Sequence, residues 1–186
     1  MGPTDRKDTM TAADVSVRPA IPEDADAVTR LQVRAWRSAH AAALGEGALE
    51  RLDVAVMRER WAAAISEPPS RDHLVLVACA GPRVVGVATS VPVPGEEPGI
   101  EVAALEVDPD HQRQGHGSRL LAACVDLARQ RAVTHLQTWC LTADGAREAF
   151  LDSCGLGPDG ARRVLGERPD AEGVTEVTER RWVAAI

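Results

Sequence analysis

Hydrophobic and polar positions follow two different periods along the chain, and the changes of period mark its strands and helices. The runs "HLVLVACA" and "VVGVATSV" are rich in β-branched residues and flank a Gly-Pro turn, which predicts an antiparallel hairpin. After the loop "PVPGEEPG", residues 100–107 and then "VTHLQTWCL" predict two further strands. The middle of the chain is therefore expected to form a sheet.

Helical spacing dominates the first third of the chain. "VSVRPAIPEDADAVTRLQVRAWRSAHAAAL" predicts a short strand and then a helix that begins at Glu23 and Asp24, whose charges suit a helix N-terminus. In "GALERLDVAVMRERWAAAI" apolar residues recur every three or four positions, which predicts one second helix with a buried face. That face comprises Leu49, Leu52, Val56, Met57, Trp61 and Ile65.

The C-terminal part alternates again between the two periods. A helix is predicted after residue 115, a short helix over "DGAREAFLDSCGL" that Gly155 ends, and a last strand over "TEVTERRWVAAI". The elements run strand, two helices, three strands, helix, strand, helix, strand, which is a mixed α+β order. We expect a single domain over residues 15–186, preceded by a polar, disordered leader over residues 1–14.

The stretch "LEVDPDHQRQGHGSRLLAACVDLA" places two glycines, Gly115 and Gly117, between a predicted strand and a predicted helix. Free amides at a helix N-terminus attract anions, although two glycines also suit a simple tight turn. A Walker loop requires Lys and then Ser or Thr after its last glycine, where this chain has Ser118 and Arg119. A dinucleotide fingerprint requires a third glycine at the position of Leu120. Both of these phosphate loops are excluded.

Residues 112–117, "QRQGHG", fit the Q/R-x-x-G-x-G/A signature of the GNAT N-acetyltransferase superfamily, which the chain resembles from residue 15 to its end. The resemblance implies the GNAT fold, a mostly antiparallel, twisted sheet flanked by helices. It also implies that strands 100–107 and 133–141 splay apart to admit the pantetheine arm of acetyl-CoA. No metal is implied.

The resemblance assigns cofactor-binding roles mainly to backbone groups. Those near Leu105 and Val107 would bind pantetheine and polarise the thioester carbonyl, and Asp144 takes the place of a family asparagine. The pyrophosphate would lie against the loop made by Gln112, Arg113, Gln114, Gly115, His116, Gly117 and Ser118. The His116 side chain is expected to be exposed to solvent rather than catalytic.

Acetyl transfer to an amine requires the neutral amine, so a base or a water chain must remove a proton. Glu101 stands eleven residues before Gln112, where several family members place a glutamate base, and it is our catalytic candidate. The alternative is an ordinary solvated carboxylate at a strand start. Glu106 has the opposite strand parity and is the weaker candidate unless a bulge reverses the register.

The sequence departs from the family pattern downstream. Asp144, Leu151 and Gly155-Leu156 stand where the family has Asn, Tyr and Gly-Phe, and the chain contains no tyrosine. The usual proton donor to the CoA thiolate is therefore missing. Either Ser153, Cys154 or water donates instead, or no dedicated acid is required, because the CoA thiolate is a tolerable leaving group. Cys140 and Cys154 lack a histidine-centred constellation that would make either one an acyl-carrying nucleophile.

Two functions follow from these observations. The first is an acetyl-CoA-dependent N-acetyltransferase that acts on a primary amine of a small molecule or protein by direct transfer in a ternary complex. The second is a catalytically silent acyl-CoA-binding or regulatory module. The acceptor itself is not readable, and Trp36, His40 and Trp61 in the first helices are expected to serve packing.

Composition restricts partners and location. The net charge of −7 and the scarcity of aromatic residues argue against a nucleic-acid surface. Four widely spaced cysteines predict neither a zinc site nor disulfides and suit a reducing compartment. No signal peptide or membrane-length apolar stretch is evident, so we expect a cytoplasmic protein with no membrane partner. The resemblance also allows a homodimer.

Overall fold

A computed structural model describes residues 15–44, 46–95, 97–170 and 173–186. The expected leader, residues 1–14, lies outside the described residues. The strands and helices, in chain order, are β1 (Val15–Pro19), α1 (Ala25–Leu44), α2 (Glu46–Glu50), α3 (Val54–Ser66), β2 (Leu74–Ala80), β3 (Arg83–Val93), β4 (Gly99–Val107), α4 (His116–Arg129), β5 (His135–Leu141), α5 (Gly145–Ser153), β6 (Gly157–Asp170) and β7 (Gly173–Ala185).

The strands form a seven-stranded sheet in the order β1-β2-β3-β4-β5-β7-β6. Neighbouring strands run antiparallel except β4 and β5, which are parallel and are connected through α4. A parallel pair requires a crossover of this kind, because a hairpin can join only antiparallel strands. The predicted mixed α+β class with a mostly antiparallel sheet is confirmed.

Apolar side chains fill a separate core on each face of the sheet. On one face Leu120 and Cys124 of α4 and Leu151 of α5 pack against Leu76 and Val102 of the sheet, and all five are buried. On the other face α1 and α3 pack against β2 and β3, through Val28, Leu31, Trp61, Val77 and Val87. The sheet is thus covered on both faces in its central part.

Two elements differ from the sequence-based expectation. The second helix is two helices, because the Asp53 side chain accepts a hydrogen bond from the Val56 backbone at 3.0 Å and starts α3 anew. Val56, expected in the buried face, is consequently 39% exposed. The strand β6 was not predicted at all, since its arginine-rich sequence shows little apolar alternation.

A bulge in β4 corrects the prediction that Glu106 points away from Glu101. Thr89 of β3 pairs with Ala104, but the next residue of β3 pairs with Val102, so Ala103 has no partner on β3. The extra residue reverses the alternation. Leu105 therefore joins Val102 in the core beneath α4, and Glu106 shares the opposite face of the sheet with Glu101.

Candidate active site

The strands β4 and β5 separate partway along their length. Their backbone pairing covers only residues 99–101 of β4 and 135–137 of β5. The hydroxyl of Thr138 still donates to the Val102 carbonyl at 2.8 Å, and beyond it no β4–β5 pairing is found in the described residues. The expected splay is present, and its open end lies toward the loop that follows β4.

Backbone groups of Leu105 and Val107 face this gap. The Asp108 amide donates to the Val85 carbonyl of β3 at 2.9 Å, and alternate residues of a strand direct their backbone groups to the same neighbour. The backbone groups of Leu105 and Val107, which alternate with these residues, therefore point away from β3. Accordingly, the Leu105 carbonyl accepts from Arg147 Nη1 at 2.9 Å and the Val107 carbonyl accepts from Gln112 Nε2 at 3.4 Å.

Among the described residues, seven consecutive backbone amides of the loop after β4 have no hydrogen-bond partner. Within the described chain, the N–H groups of residues 112–118 donate to no protein acceptor, and the first bond of α4 runs from the Arg119 amide to the Gly115 carbonyl at 3.1 Å. Arg113 and Gly115 adopt left-handed φ values of 61° and 82°, backbone conformations of the kind that direct successive amides to one side in anion-binding nests. Amides arranged this way at the positive end of a helix bind anions.

The charged and polar side chains of the loop lie at its surface. Arg113, Gln114 and Ser118 are exposed, and Gln114 Nε2 lies 3.5 Å from the Asp110 carbonyl. The exposed Arg119 guanidinium donates to the Gln114 carbonyl at 3.0 Å. Two cationic side chains therefore border the amides, and both favour an anionic guest.

Gly117 connects the loop to the gap. A Cβ atom built on Gly117 would lie 3.5 Å from the Phe150 ring of α5 and 3.7 Å from Val107 Cγ2 of β4. The first turn of α4 is therefore in contact range of both elements that border the open end of the splay. A ligand held by the loop amides would reach directly into the gap.

His116 does not have the exposed side chain that was expected. It is 2% exposed, and its Nδ1 atom is buried without a hydrogen-bond partner among the described residues. Burial, aided by the charges of Arg119 and His111, lowers the pKa of His116. The ring is held neutral inside the start of α4, because its side chain turns inward with the buried face of that helix.

The two carboxylates on the α1 side of β4 each have a hydrogen-bond donor. Glu101 Oε2 accepts from Gln137 Nε2 of β5 at 2.7 Å, and Glu106 Oε1 accepts from Trp36 Nε1 of α1 at 3.2 Å. Both carboxylates are partly buried. Trp36 was expected only to pack, and Gln137 was not singled out at all, because these contacts join distant parts of the sequence.

Asp144 begins α5 and borders a cavity. Its Oδ1 atom accepts from the Arg147 amide at 3.0 Å, and its Oδ2 atom lies 3.9 Å from His40 Nδ1. The cavity beside it, of about 260 Å³, is also lined by Glu176 and Thr178 of β7. Leu151, about two turns further along α5, is fully buried and contributes only to packing. A second cavity, of about 230 Å³, lies at the opposite end of β4 beside Gly99.

The sequence of the chain matches the acetyltransferase (GNAT) family over residues 29–156. Since the match spans more than half of the chain, this protein belongs to the GNAT acetyltransferase family. The expected family and the expected enzyme class, an N-acetyltransferase, are confirmed. No curated protein shows significant sequence similarity to the chain.

Solved structures share the fold at low sequence identity. PaiA N-acetyltransferase from Thermoplasma acidophilum, in complex with coenzyme A, superimposes with a TM-score of 0.73 at 15% identity, over 92% of this chain and 99% of that one. Ribosomal-protein-alanine N-acetyltransferase from Brucella melitensis gives 0.67 at 24% identity, over 92% and 99%. YncA from Salmonella typhimurium, with its cofactor acetyl-CoA, gives 0.61 at 19% identity, over 92% and 94%.

The described residues include neither a metal-binding cluster nor a membrane-crossing helix. Among these residues, no group of three or more His, Cys, Asp or Glu side chains is arranged to hold a metal ion. None of the described helices combines the length and hydropathy required to cross a membrane.

Proposed function

We propose that this protein transfers the acetyl group of acetyl-CoA directly to a primary amine of a small molecule or protein, with both substrates bound together. The observation that carries this proposal is the position of the unpaired amides of residues 112–118, immediately in front of the gap between β4 and β5. One ligand that combines a pyrophosphate with a long, narrow arm fits both features at once.

The loop would hold the pyrophosphate and the gap would hold the arm. Backbone amides and the positive end of α4 supply fixed donors to phosphate oxygens, and Arg113 and Arg119 add charge. The backbone groups of Leu105 and Val107 no longer have a strand partner on β5. They would instead form hydrogen bonds with the amides of the arm. A backbone N–H at Leu105 directed into the gap is also suited to stabilise the oxyanion that forms on the thioester carbonyl.

Glu101 is the proposed base. It removes a proton from the attacking amine, directly or through water, as the nitrogen bonds to the thioester carbon. The hydrogen bond from Gln137 fixes the orientation of the carboxylate. Because the bulge places Glu106 on the same face, Glu106 is the one competing carboxylate on β4.

The cavity between α1 and β7 is the proposed route for the acceptor. Asp144 and Glu176 give it an acidic lining, with His40 beside them. An acidic entrance attracts an ammonium group and thereby raises its local concentration.

Four free cysteines support a reducing, cytoplasmic location, and a homodimer stays a prediction.

The role of Glu101 is testable with matched variants of the two carboxylates. Once an acceptor is found by measuring thiol release from acetyl-CoA over a panel of amines, Glu101→Gln should lower kcat at neutral pH by at least about tenfold, the weak end of general-base effects. Part of the loss should return at high pH, where free amine is abundant. Acetyl-CoA affinity should not change.

Glu106→Gln serves as the control and should retain most of the activity. A loss confined to Glu106→Gln would transfer the role of base to Glu106. Wild-type kcat in both variants over about pH 6–9 would leave only a water chain. Tight CoA binding with no turnover on any amine would contradict the proposal and support the silent acyl-CoA-binding module.

A further inference from the structure

Arg147 places a cation inside the gap between β4 and β5. It lies in the first turn of α5, and its Nη1 atom donates to the Leu105 carbonyl of β4 at 2.9 Å. That carbonyl belongs to the stretch of β4 that has already separated from β5. The Arg147 Nε atom is also buried and has no acceptor among the described residues. The guanidinium therefore retains an unused donor where the two strands diverge.

The charge of Arg147 is not neutralised by its neighbours. Across the described residues it takes part in no ion pair, although Asp144 caps its helix and Glu148 is the next residue of α5. Asp144 accepts from the backbone amide of residue 147 and lies near His40, while Glu148 is paired with Arg180 of β7. Glu179 of β7, whose charge acts on the nearby Cys140 thiol, is paired with Arg163 of β6.

The adjacent thiol of β5 does not provide a negative charge either. Burial raises the pKa of Cys140 to about 12, so its sulfur is neutral at physiological pH. A partly buried cation that lacks a counterion is costly unless an anion joins it during function. The chemistry of thioester cleavage produces such an anion.

We propose that Arg147 is a catalytic residue that stabilises the CoA thiolate as it leaves, an inference that rests on the proposed acetyl transfer. The amine nitrogen bonds to the thioester carbon and loses its proton to Glu101. The carbon–sulfur bond then breaks, and its electron pair stays on sulfur. The resulting thiolate lies beside the guanidinium and takes a proton from water after CoA departs.

Stabilisation by a permanent charge suits this chain better than proton donation. A guanidinium does not release its proton in proteins, so Arg147 lowers the energy of the thiolate without protonating it. The chain has no tyrosine, and the side chain of Leu151 is buried in the core. The Ser153 hydroxyl already donates to the Phe150 carbonyl at 2.7 Å.

The experiment measures the proton that CoA loses when it binds. CoA is titrated into the wild-type protein by calorimetry at about pH 7.5, in buffers of different ionisation enthalpy. A thiol of ordinary pKa is mostly protonated at this pH, and a pKa of about 7.5 in the bound state makes it half ionised. Binding should then release about 0.4–0.5 proton per CoA. Desulfo-CoA lacks the sulfur, so its binding should release fewer protons per molecule than CoA, by at least about 0.4.

Three variants test whether Arg147 causes the difference in proton release between CoA and desulfo-CoA. Arg147→Gln should bind CoA and desulfo-CoA with the same proton count, whereas Arg147→Lys should retain part of the difference because it keeps a charge. Arg131→Gln is the matched control, since it removes an arginine paired with Asp72 at the far end of β4. It should behave as wild type. Circular dichroism verifies the fold of each variant.

The outcomes separate this inference from the function on which it rests. Equal proton counts for CoA and desulfo-CoA in the wild type would overturn the role of Arg147 while leaving CoA binding intact. An undiminished difference in folded Arg147→Gln would overturn it as well. Failure of the wild type to bind CoA at all would contradict the proposed function, and the role of Arg147 with it.

Discussion

Replacing Gly115 by alanine tests the backbone geometry on which the proposed anion-binding loop, residues 112–118, depends. Gly115 has a φ of 82°, where an L side chain costs about 1–2 kcal/mol. The new Cβ atom would lie 3.1 Å from Arg119 Nη1, so the guanidinium must shift away from the Gln114 carbonyl that it contacts. Losing that exposed hydrogen bond adds at most about 1 kcal/mol. The free energy of unfolding should therefore fall by about 1–3 kcal/mol.

Gly117→Ala is the matched control two residues further on. Its φ is not in the left-handed region, and its Cβ atom would make an ordinary 3.5 Å contact with the Phe150 ring. Alanine is also favoured over glycine in a helix by up to about 1 kcal/mol. The two changes are chemically identical, yet Gly115→Ala should destabilise the protein and Gly117→Ala should be neutral or stabilising.

Urea denaturation followed by circular dichroism measures both variants against wild type, and thermal unfolding provides a second estimate. At this chain length each kcal/mol corresponds to a Tm change of about 2–4 °C. Gly115→Ala should also weaken CoA binding, because a relaxed loop no longer directs its amides to one side. Equal stability of the two variants would refute the left-handed turn as a structural requirement.

Two further predictions concern buried charged and polar groups. Because burial lowers the pKa of His116, the unfolded chain binds its proton more readily, and the free energy of unfolding should decrease as pH falls below the ordinary value of about 6.5. His116→Leu should flatten that slope between about pH 6.5 and 5 in denaturation curves, and an unchanged slope would contradict the assignment. Arg18 donates to both oxygens of buried Asp24, at 2.6 and 2.9 Å, so Arg18→Gln should cost about 1–3 kcal/mol at neutral pH. The hydrogen bond from Arg18 lowers the pKa of Asp24, so that cost should shrink as acid protonates the carboxyl, and a cost independent of pH would count against it.

The fold and the glycine-containing loop before α4 could be predicted from local sequence patterns. Alternation of β-branched residues marks β2, β3 and β4, and the Gly115–Gly117 spacing with the following amphipathic segment marks the start of α4. Each of these signals lies within one element and its flanking turn. Local patterns of this kind survive in the folded chain because they agree with the tertiary structure.

Features that depend on contacts between distant parts of the chain could not be predicted from the sequence. The bulge at Ala103, which reverses the side of Glu106, depends on pairing between β3 and β4. The inward turn of His116 depends on packing beneath the start of α4, and the reach of Arg147 to Leu105 depends on where α5 lies. A polar edge strand such as β6 is held by its partner β7 rather than by its own apolar residues.

Calorimetric titration of CoA into wild-type protein and Gly117→Glu tests the central claim, that the loop and gap bind the CoA pyrophosphate and its arm. A glutamate at this position projects toward Phe150 and Val107 and adds a negative charge beside the amides. The variant should remain folded by circular dichroism and lose at least about 100-fold in affinity, or ~2.7 kcal/mol, whereas Gly117→Ala should bind CoA. A folded Gly117→Glu protein that binds CoA as tightly as wild type would contradict the claim.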